Sequence, residues 1–363
     1  MLIPVNCQIV REDTRSLTRT FTRTLDAKHG IIQVYMKDYS PVYKITPVIT
    51  SLVYKIAQDL ERINIIREQV LTPRLRRENR IKTIRSSLYI EANTLSFEQV
   101  ADVIDGKPVV GPAHDIQEVK SAIEAYNQLL ECNPYSVKDL LYEHGLITKD
   151  TVKESGTFRS HGVGVFAGDA PIHVAPPAEQ VPLLVEQLLE WVKDSDLPQI
   201  IKSCIFHYEF EFIHPFADGN GRMGRMWQTL LLYQENSVFG WLPVETIIAK
   251  RQEEYYTAIQ RSTKENDSAI FAEFMLTALA KAVAEFKNNQ GVVGKSLDAP
   301  LGKTEQAVLA AIMSNPYATY QEIADKISKT SKTVQRTFAS LKDRGLISRV
   351  GSDKTGHWVS HEN

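Results

Sequence analysis

His214-Pro215-Phe216-Ala217-Asp218-Gly219-Asn220-Gly221-Arg222-Met223-Gly224-Arg225 is the stretch around which the rest of the chain organises itself. Gly219 and Gly221 flank Asn220, and residues without a Cβ let consecutive backbone N–H groups turn toward one anion. Upstream, Ile200 through Phe212 has apolar residues at helical spacing, and downstream Met226, Trp227, Leu230, Leu231 and Leu232 predict a buried helix. A helix beginning near Arg222 would place the glycine pair at its N-terminus, where unpaired N–H groups and the macrodipole favour phosphate. The stretch is therefore read as a phosphate-handling turn between two helices of a mainly α core.

The side chains of this turn suit magnesium-assisted phosphate chemistry. Arg222 and Arg225 are three apart, so on a first helical turn both guanidinium forks are expected to face one ligand. Asp218 is a natural ligand for Mg2+, which is usually held by one or two carboxylates plus substrate phosphates. His214 can take a proton from an attacking hydroxyl near neutral pH. Gly219-x-Gly221-x-x-Gly224 also matches the dinucleotide pattern G-x-G-x-x-G, but that pattern needs an apolar strand before it, and the segment upstream is helical. His207, Glu211 and His214 do not have the H-E-x-x-H spacing, which leaves core or supporting roles for His207 and Glu211. A plain glycine-rich interhelical turn would not gather a His, an Asp, a Gly-x-Gly and two phased arginines.

Working outward, Ile49, Leu52, Val53, Ile56, Leu60 and Ile63 form one helical stripe, and Ile116, Val119, Ile123, Tyr126 and Leu130 another. Asp105-Gly106-Lys107-Pro108 is a turn between them, and Asn93 to Gln99 holds an N-cap before a short helix. From Ser155 to Pro177, glycines interleave with Phe158, Val163, Val165, Phe166, Ile172 and Val174, the composition of a β-hairpin. Val181, Leu184, Val185, Leu188, Leu189 and Val192 return to helical spacing, and Tyr255 to Ala284 reads as one further helix. Asn288 to Pro300 is polar and glycine-bearing, so a linker is placed at 288–300, after an N-terminal region 1–110 and a core 111–287.

Position for position, the twelve residues match the H-x-F-x-D/E-G-N-G-R-x-x-R signature, and from roughly Ser51 to Met275 the chain resembles the Fic-domain proteins. That resemblance implies AMP transfer from ATP to a Ser, Thr or Tyr hydroxyl of a target protein, with self-modification included. It implies His214 as the base, Asp218 as the magnesium ligand, and Gly219, Asn220 and Gly221 as the anion hole. Arg222, Met223, Gly224 and Arg225 would complete the ATP site, with Phe216 structural. The 157–177 hairpin, with Val163, Gly164, Val165 and Phe166 at its centre, resembles the family's flap, which pins the target by strand-like pairing. Tyr255 and Tyr256 resemble the family's adenine-side residues, or are two aromatics on a buried helix. Ser87-Leu88-Tyr89-Ile90-Glu91 resembles the S/T-x-x-x-E inhibitory helix, placed at about 83–93, whose Glu pairs with the second motif arginine, here Arg225. Where the family has Gly or Asn after this Glu, the present chain has Ala92 before Asn93.

The remaining residues, 301–363, show three helical segments beginning near Thr304, Tyr320 and Thr330, then a hairpin from Leu346 to Val359, and resemble a winged helix. Lys329, Lys332, Arg336, Lys342, Arg344, Arg349 and Lys354 make it locally basic, while Glu322, Asp325, Asp343 and Asp353 dilute the patch; DNA binding and protein docking, including a homodimer, both stay open. A net charge of -2 over 363 residues excludes bulk electrostatic coating of nucleic acid or membrane. Cys7, Cys132 and Cys204 lack a C-x-x-C pair and fit plain thiols in a reducing compartment. With no long apolar run, the chain is expected to be cytoplasmic and to have no membrane partner.

Overall fold

The computed structural model describes residues 5–9, 40–65, 71–167, 170–297, 301–343, 346–350 and 356–360. They fall into two compact units, Met1–Glu285 and Phe286–Asn363. The architecture is mainly α with two small antiparallel sheets, as the sequence predicts.

In the first unit the helix Gln199–Ile213 is the central element. Residues 200–210 are buried on every side of it, the mark of a helix surrounded by others rather than lying on a surface. His214 ends it in the left-handed region (φ 49°, ψ 60°), its N–H donating to the Phe210 carbonyl at 2.9 Å, and Pro215 prevents continuation. The helix Asn220–Glu235 follows, starting two residues earlier than expected. Phe206, Phe210, Phe216, Met223, Met226 and Trp227 from this helical hairpin share one core with Leu184, Leu188, Tyr126 and Leu140.

The helix Pro73–Ile90 begins at a Thr72 cap and ends beside the start of the motif helix. Its end is a two-bond C-cap: the Asn93 N–H donates to Leu88 O at 3.1 Å and the Ala92 N–H to Tyr89 O at 3.0 Å. That pattern requires a left-handed residue at the position after the cap, and Ala92 supplies it at φ 70°. Ser96 forms the predicted N-cap of Phe97–Ile104, with a capping box to Gln99.

The hairpin Val163–Ala167 and Ala170–Val174 is present, with a register shift between Val165 and Phe166. Its outer edge is filled by a strand the sequence did not suggest: Val5–Ile9 pairs antiparallel to Val163–Ala167, from Val5 opposite Ala167 to Ile9 opposite Val163.

Two helical boundaries differ from expectation. The segment read as one helix from Tyr255 to Ala284 is broken: Gln252–Glu265 stops at Asn266, which is left-handed (φ 49°), and Ala269–Leu297 starts after Asp267 caps it by accepting from the Ala269 N–H at 3.0 Å. Asn tolerates that conformation, and an Asp two residues before a helix competes for its backbone. The segment expected as a linker, 288–300, is helical through Leu297, and 298–300 lie outside the described residues. Once a helix is nucleated, each added residue gains a hydrogen bond, so Gly291 and Gly294, at about 1 kcal/mol each, do not stop it.

In the second unit the helices Lys303–Ser314, Tyr320–Lys326 and Ser331–Asp343 and the strands Ile347–Val350 and His357–Ser360 enclose Val308, Ile312, Val334, Phe338 and Trp358. Phe338 stacks edge-on against Tyr320 and Trp358, with centroids 4.9 and 4.8 Å away. Lys329, Lys332 and Arg336 are exposed around the third helix, whereas Arg344 and Lys354 lie outside the described residues.

Candidate functional site

The motif turn is held by its own side chains. Asn220 accepts from the Phe216 N–H at 2.9 Å and donates to the Phe216 carbonyl at 2.8 Å, so its amide locks the loop and leaves only its backbone N–H for a ligand. Gly219 is left-handed (φ 83°), and a Cβ there would stand 2.9 Å from Thr148 Cγ2. A Cβ at Gly221 would collide with Glu91 Oε1 and lie 3.1 Å from Arg225 Nη1, which makes the approach to this helix end possible only without a side chain. Gly219 provides no side-chain cap, so the first N–H groups of Asn220–Glu235 are left to an anion, as at other phosphate-binding helix ends.

Arg222 and Arg225 each have their own acid. Arg222 Nη1 donates to Glu118 Oε1 at 2.9 Å, and its Nη2 lies 3.4 Å from Asp218 Oδ1. Glu118 is completed by Asn93, whose Nδ2 donates to Oε2 at 2.9 Å. Arg225 donates from Nε to Ser87 Oγ at 3.1 Å and from Nη2 to Ser87 O at 3.0 Å and Glu91 Oε1 at 2.7 Å. Ser87 and Glu91 are thus brought onto the motif from the end of Pro73–Ile90. Burial works against the Arg225 charge, but the Glu91 carboxylate outweighs it and holds the guanidinium firmly protonated. Arg225 Nη1 and Arg222 Nε are buried without a hydrogen-bond partner among the described residues. The Ile90 carbonyl is held in turn by Gln252 Nε2 at 2.8 Å and Tyr256 OH at 3.4 Å.

His214 is buried, with Nδ1 3.3 Å from the Glu211 carbonyl oxygen. Asp218 is exposed; Oδ1 accepts from the Gly219 N–H at 2.5 Å and lies 3.4 Å from Arg222 Nη2. A carboxylate so placed beside unpaired helix N–H groups fits one protein ligand for Mg2+ with phosphate oxygens supplying others. His207 belongs to the core, with Nδ1 2.7 Å from Gln228 Oε1 and Nε2 3.1 Å from Tyr255 OH. Gln228 Oε1 can only accept, so His207 carries its proton on Nδ1 and accepts from Tyr255; burial pushes it down to about 3, which keeps it neutral. Tyr255 is buried and Tyr256 half-buried, their rings 5.2 Å apart.

Three residues that position this turn were missed by sequence reasoning. His144 stacks on Phe216 at 3.6 Å and 3°, accepts the Gly156 N–H at Nδ1 (2.9 Å), and so donates from Nε2 to the Asp218 carbonyl at 3.0 Å. Burial pushes it down to about 4. Arg159, which precedes the hairpin, donates to His214 O (2.8 Å), His161 O (2.8 Å) and Pro176 O (2.5 Å), tying both ends of the hairpin to the motif loop. Glu118 is the third. None stands in a recognisable pattern: His144 meets Asp218 across 74 residues and Glu118 meets Arg222 across 104.

Both units have relatives. Residues 134–232 match the Fic/DOC family, and residues 301–348 match a winged helix-turn-helix DNA-binding family. A Fic family protein from Desulfovibrio desulfuricans G20 is 40% identical with a TM-score of 0.68, over 90% of this chain and 99% of that one. Such identity over nearly both chains is decisive: this chain belongs to the Fic family. Among curated relatives, Protein adenylyltransferase Fic of Drosophila melanogaster is 28% identical over 222 residues, covering 58% of this chain and 42% of its own length. Protein adenylyltransferase fic-1 of Caenorhabditis elegans is 26% identical over 234 residues, covering 59% and 43%. This chain spans less than half the length of those curated relatives.

Proposed function

We propose that this chain is a protein adenylyltransferase that moves AMP from ATP to a Ser, Thr or Tyr hydroxyl of a target protein and of itself, and that Glu91 restrains it. The observation that carries this reading is the Glu91–Arg225 ion pair, 2.7 Å long, at an uncapped helix N-terminus carrying a histidine, an exposed carboxylate and a second buried arginine. The Drosophila and Caenorhabditis relatives, both named as protein adenylyltransferases, support it.

In this reading the target hydroxyl gives its proton to His214 as its oxygen bonds to the α-phosphorus, and diphosphate leaves with the electrons of the broken P–O bond. Gly219, Asn220 and Gly221 offer backbone N–H groups to phosphate oxygens, with Arg222 and the orphaned Nη1 of Arg225 adding charge. Asp218 would hold Mg2+, which neutralises phosphate charge. Met223 and Gly224 line the same turn, and Tyr256 flanks the adenine side with Tyr255 buried behind it. Glu91 competes with phosphate for Arg225, since it occupies Nη2 at 2.7 Å and neutralises the charge that a phosphate would use. Val163, Gly164, Val165 and Phe166 lie in the central strand, paired by Val5–Ile9 on one edge and Ala170–Val174 on the other, so main-chain pairing of a target with them requires Val5–Ile9 to leave that edge.

Incubation with ATP labelled at the α-phosphate tests the proposal. Little label on the wild-type chain, at least tenfold more on Glu91→Gly, and none on Glu91→Gly/His214→Ala is expected. Equal labelling of the first two would remove the restraint from the account.

A second activity is favoured by the match to a DNA-binding family over residues 301–348 and by exposed Lys329, Lys332 and Arg336: duplex DNA as a partner of the second unit.

A further inference from the structure

Glu211 is an acid that the proposed reaction does not use. It sits on the last turn of Gln199–Ile213 with its side chain 10% exposed, Oε1 3.8 Å from His207 Nε2 and Oε2 4.0 Å from His214 Nδ1. Oε1 is buried without a hydrogen-bond partner among the described residues. Gly224 makes room for it, because a Cβ there would come within 3.0 Å of Oε1. An orphaned carboxyl between a neutral histidine and the histidine of the motif is costly to keep unless it has another state to serve.

The groups facing Glu211 define that state. From its own helix and the loop after it come His207 and His214; from the motif helix, Arg225; from the end of Pro73–Ile90, Glu91; and from Gln252–Glu265, Tyr255 and Tyr256. Burial pushes Glu211 up to about 8, Arg225 opposes that, and Glu91 adds to it. Removing Glu91 therefore removes a like charge and at once frees the nearby buried cation. A buried guanidinium without its carboxylate draws the proton off the next acid.

Resting on the AMP-transfer reading for the role of His214, we propose that Glu211 is the reserve counter-charge of the site, neutral while Glu91 holds Arg225 and a carboxylate facing Arg225 and His214 once Glu91 withdraws. As His214 takes the hydroxyl proton at Nε2 it becomes an imidazolium, and its Nδ1–H then faces the ionised Oε2 as well as the Glu211 carbonyl. Withdrawal of Glu91 thereby does two things: it opens the phosphate site and it strengthens the base. Glu211 acts through His214 and is a positioning residue.

Proton NMR titration of the His214 imidazole, assigned by comparison with His214→Ala, separates this from a packing role. In the wild-type chain Glu211→Gln replaces a neutral carboxyl with a neutral amide, and the His214 midpoint does not move. In the Glu91→Gly chain the same substitution lowers the midpoint by about one unit, the size expected for losing an opposite charge at this range. AMP transfer by Glu91→Gly/Glu211→Gln falls about tenfold in kcat, with KM for ATP within twofold of Glu91→Gly. An identical midpoint change in both backgrounds, or none in either, overturns the proposal, and so does an unchanged kcat. If Glu91→Gly transfers no AMP, the functional reading fails, and the titration still decides whether Glu211 changes charge.

Discussion

Ala92 occupies a left-handed conformation (φ 70°) because the helix carrying Glu91 ends in a cap that demands one. An L-residue with a Cβ loses about 1–2 kcal/mol there, which glycine does not. Ala92→Gly should raise the unfolding free energy in urea by about 1 kcal/mol and leave the helix end where it is; an unchanged or lower value would mean that the cap is not formed as described. His144 provides a second prediction at this scale. Its value of about 4 in the folded chain lies below the ordinary 6.5, so between those values the unfolded chain binds a proton that the native one refuses. Its contribution to stability is complete above pH 6.5 and is lost as pH falls toward 4, amounting to about 2 kcal/mol by pH 5. Buried Glu143 and Glu211, pushed up to about 7 and about 8, act in the opposite sense over the same range, so the His144 effect is read as a difference. Between pH 7.5 and 5, the wild-type chain should lose about 2 kcal/mol relative to His144→Gln in urea titrations. Parallel curves would show that His144 is not a buried neutral imidazole.

At the scale of elements, Val163–Ala167 is the centre of a three-stranded sheet, with Val5–Ile9 on one edge and Ala170–Val174 on the other. Deleting residues 1–9 should speed amide hydrogen exchange across 163–167 at least tenfold while Asn220–Glu235 keeps its protection, since only the ladder loses partners. Uniform loss of protection would instead mean that the strand supports the whole unit. The main helices were legible because apolar periodicity records which face is buried, as with Val181 to Val192 and Ile200 to Phe212. Val5–Ile9 alternates apolar Val5, Cys7 and Ile9 with polar Asn6 and Gln8, but five residues are too short a period-2 signal to stand alone, and the strand gains its structure from a partner more than 150 positions away. Likewise the motif residues declare themselves by spacing, and Glu91 and Ser87 by resemblance. His144, Glu118 and Arg159 are ordinary polar residues in sequence and become part of the site only through tertiary contacts. The break at Asn266 was missed because its neighbours on both sides keep helical spacing.

At the scale of the molecule, two compact units carry two different features: a helix N-terminus without a side-chain cap in Met1–Glu285 and a helix with exposed Lys332 and Arg336 in Phe286–Asn363. No helix among the described residues is long and apolar enough to cross a membrane. If the second unit binds duplex DNA, Arg336→Ala in the full chain should weaken binding several-fold and flatten its salt dependence by about one phosphate contact, leaving AMP transfer unchanged. Loss of transfer in that variant would contradict a separation of roles.

We propose that the motif moves AMP under the control of Glu91. The most direct test is to give Glu91→Gly chain, with magnesium, ATP labelled at either the α- or the γ-phosphate, and to follow protein-bound label and released diphosphate. Protein labelling from the α-position only, with one diphosphate released per label, is expected, and neither is expected when His214→Ala is added. Label arriving from the γ-position, or no label from either, would contradict it.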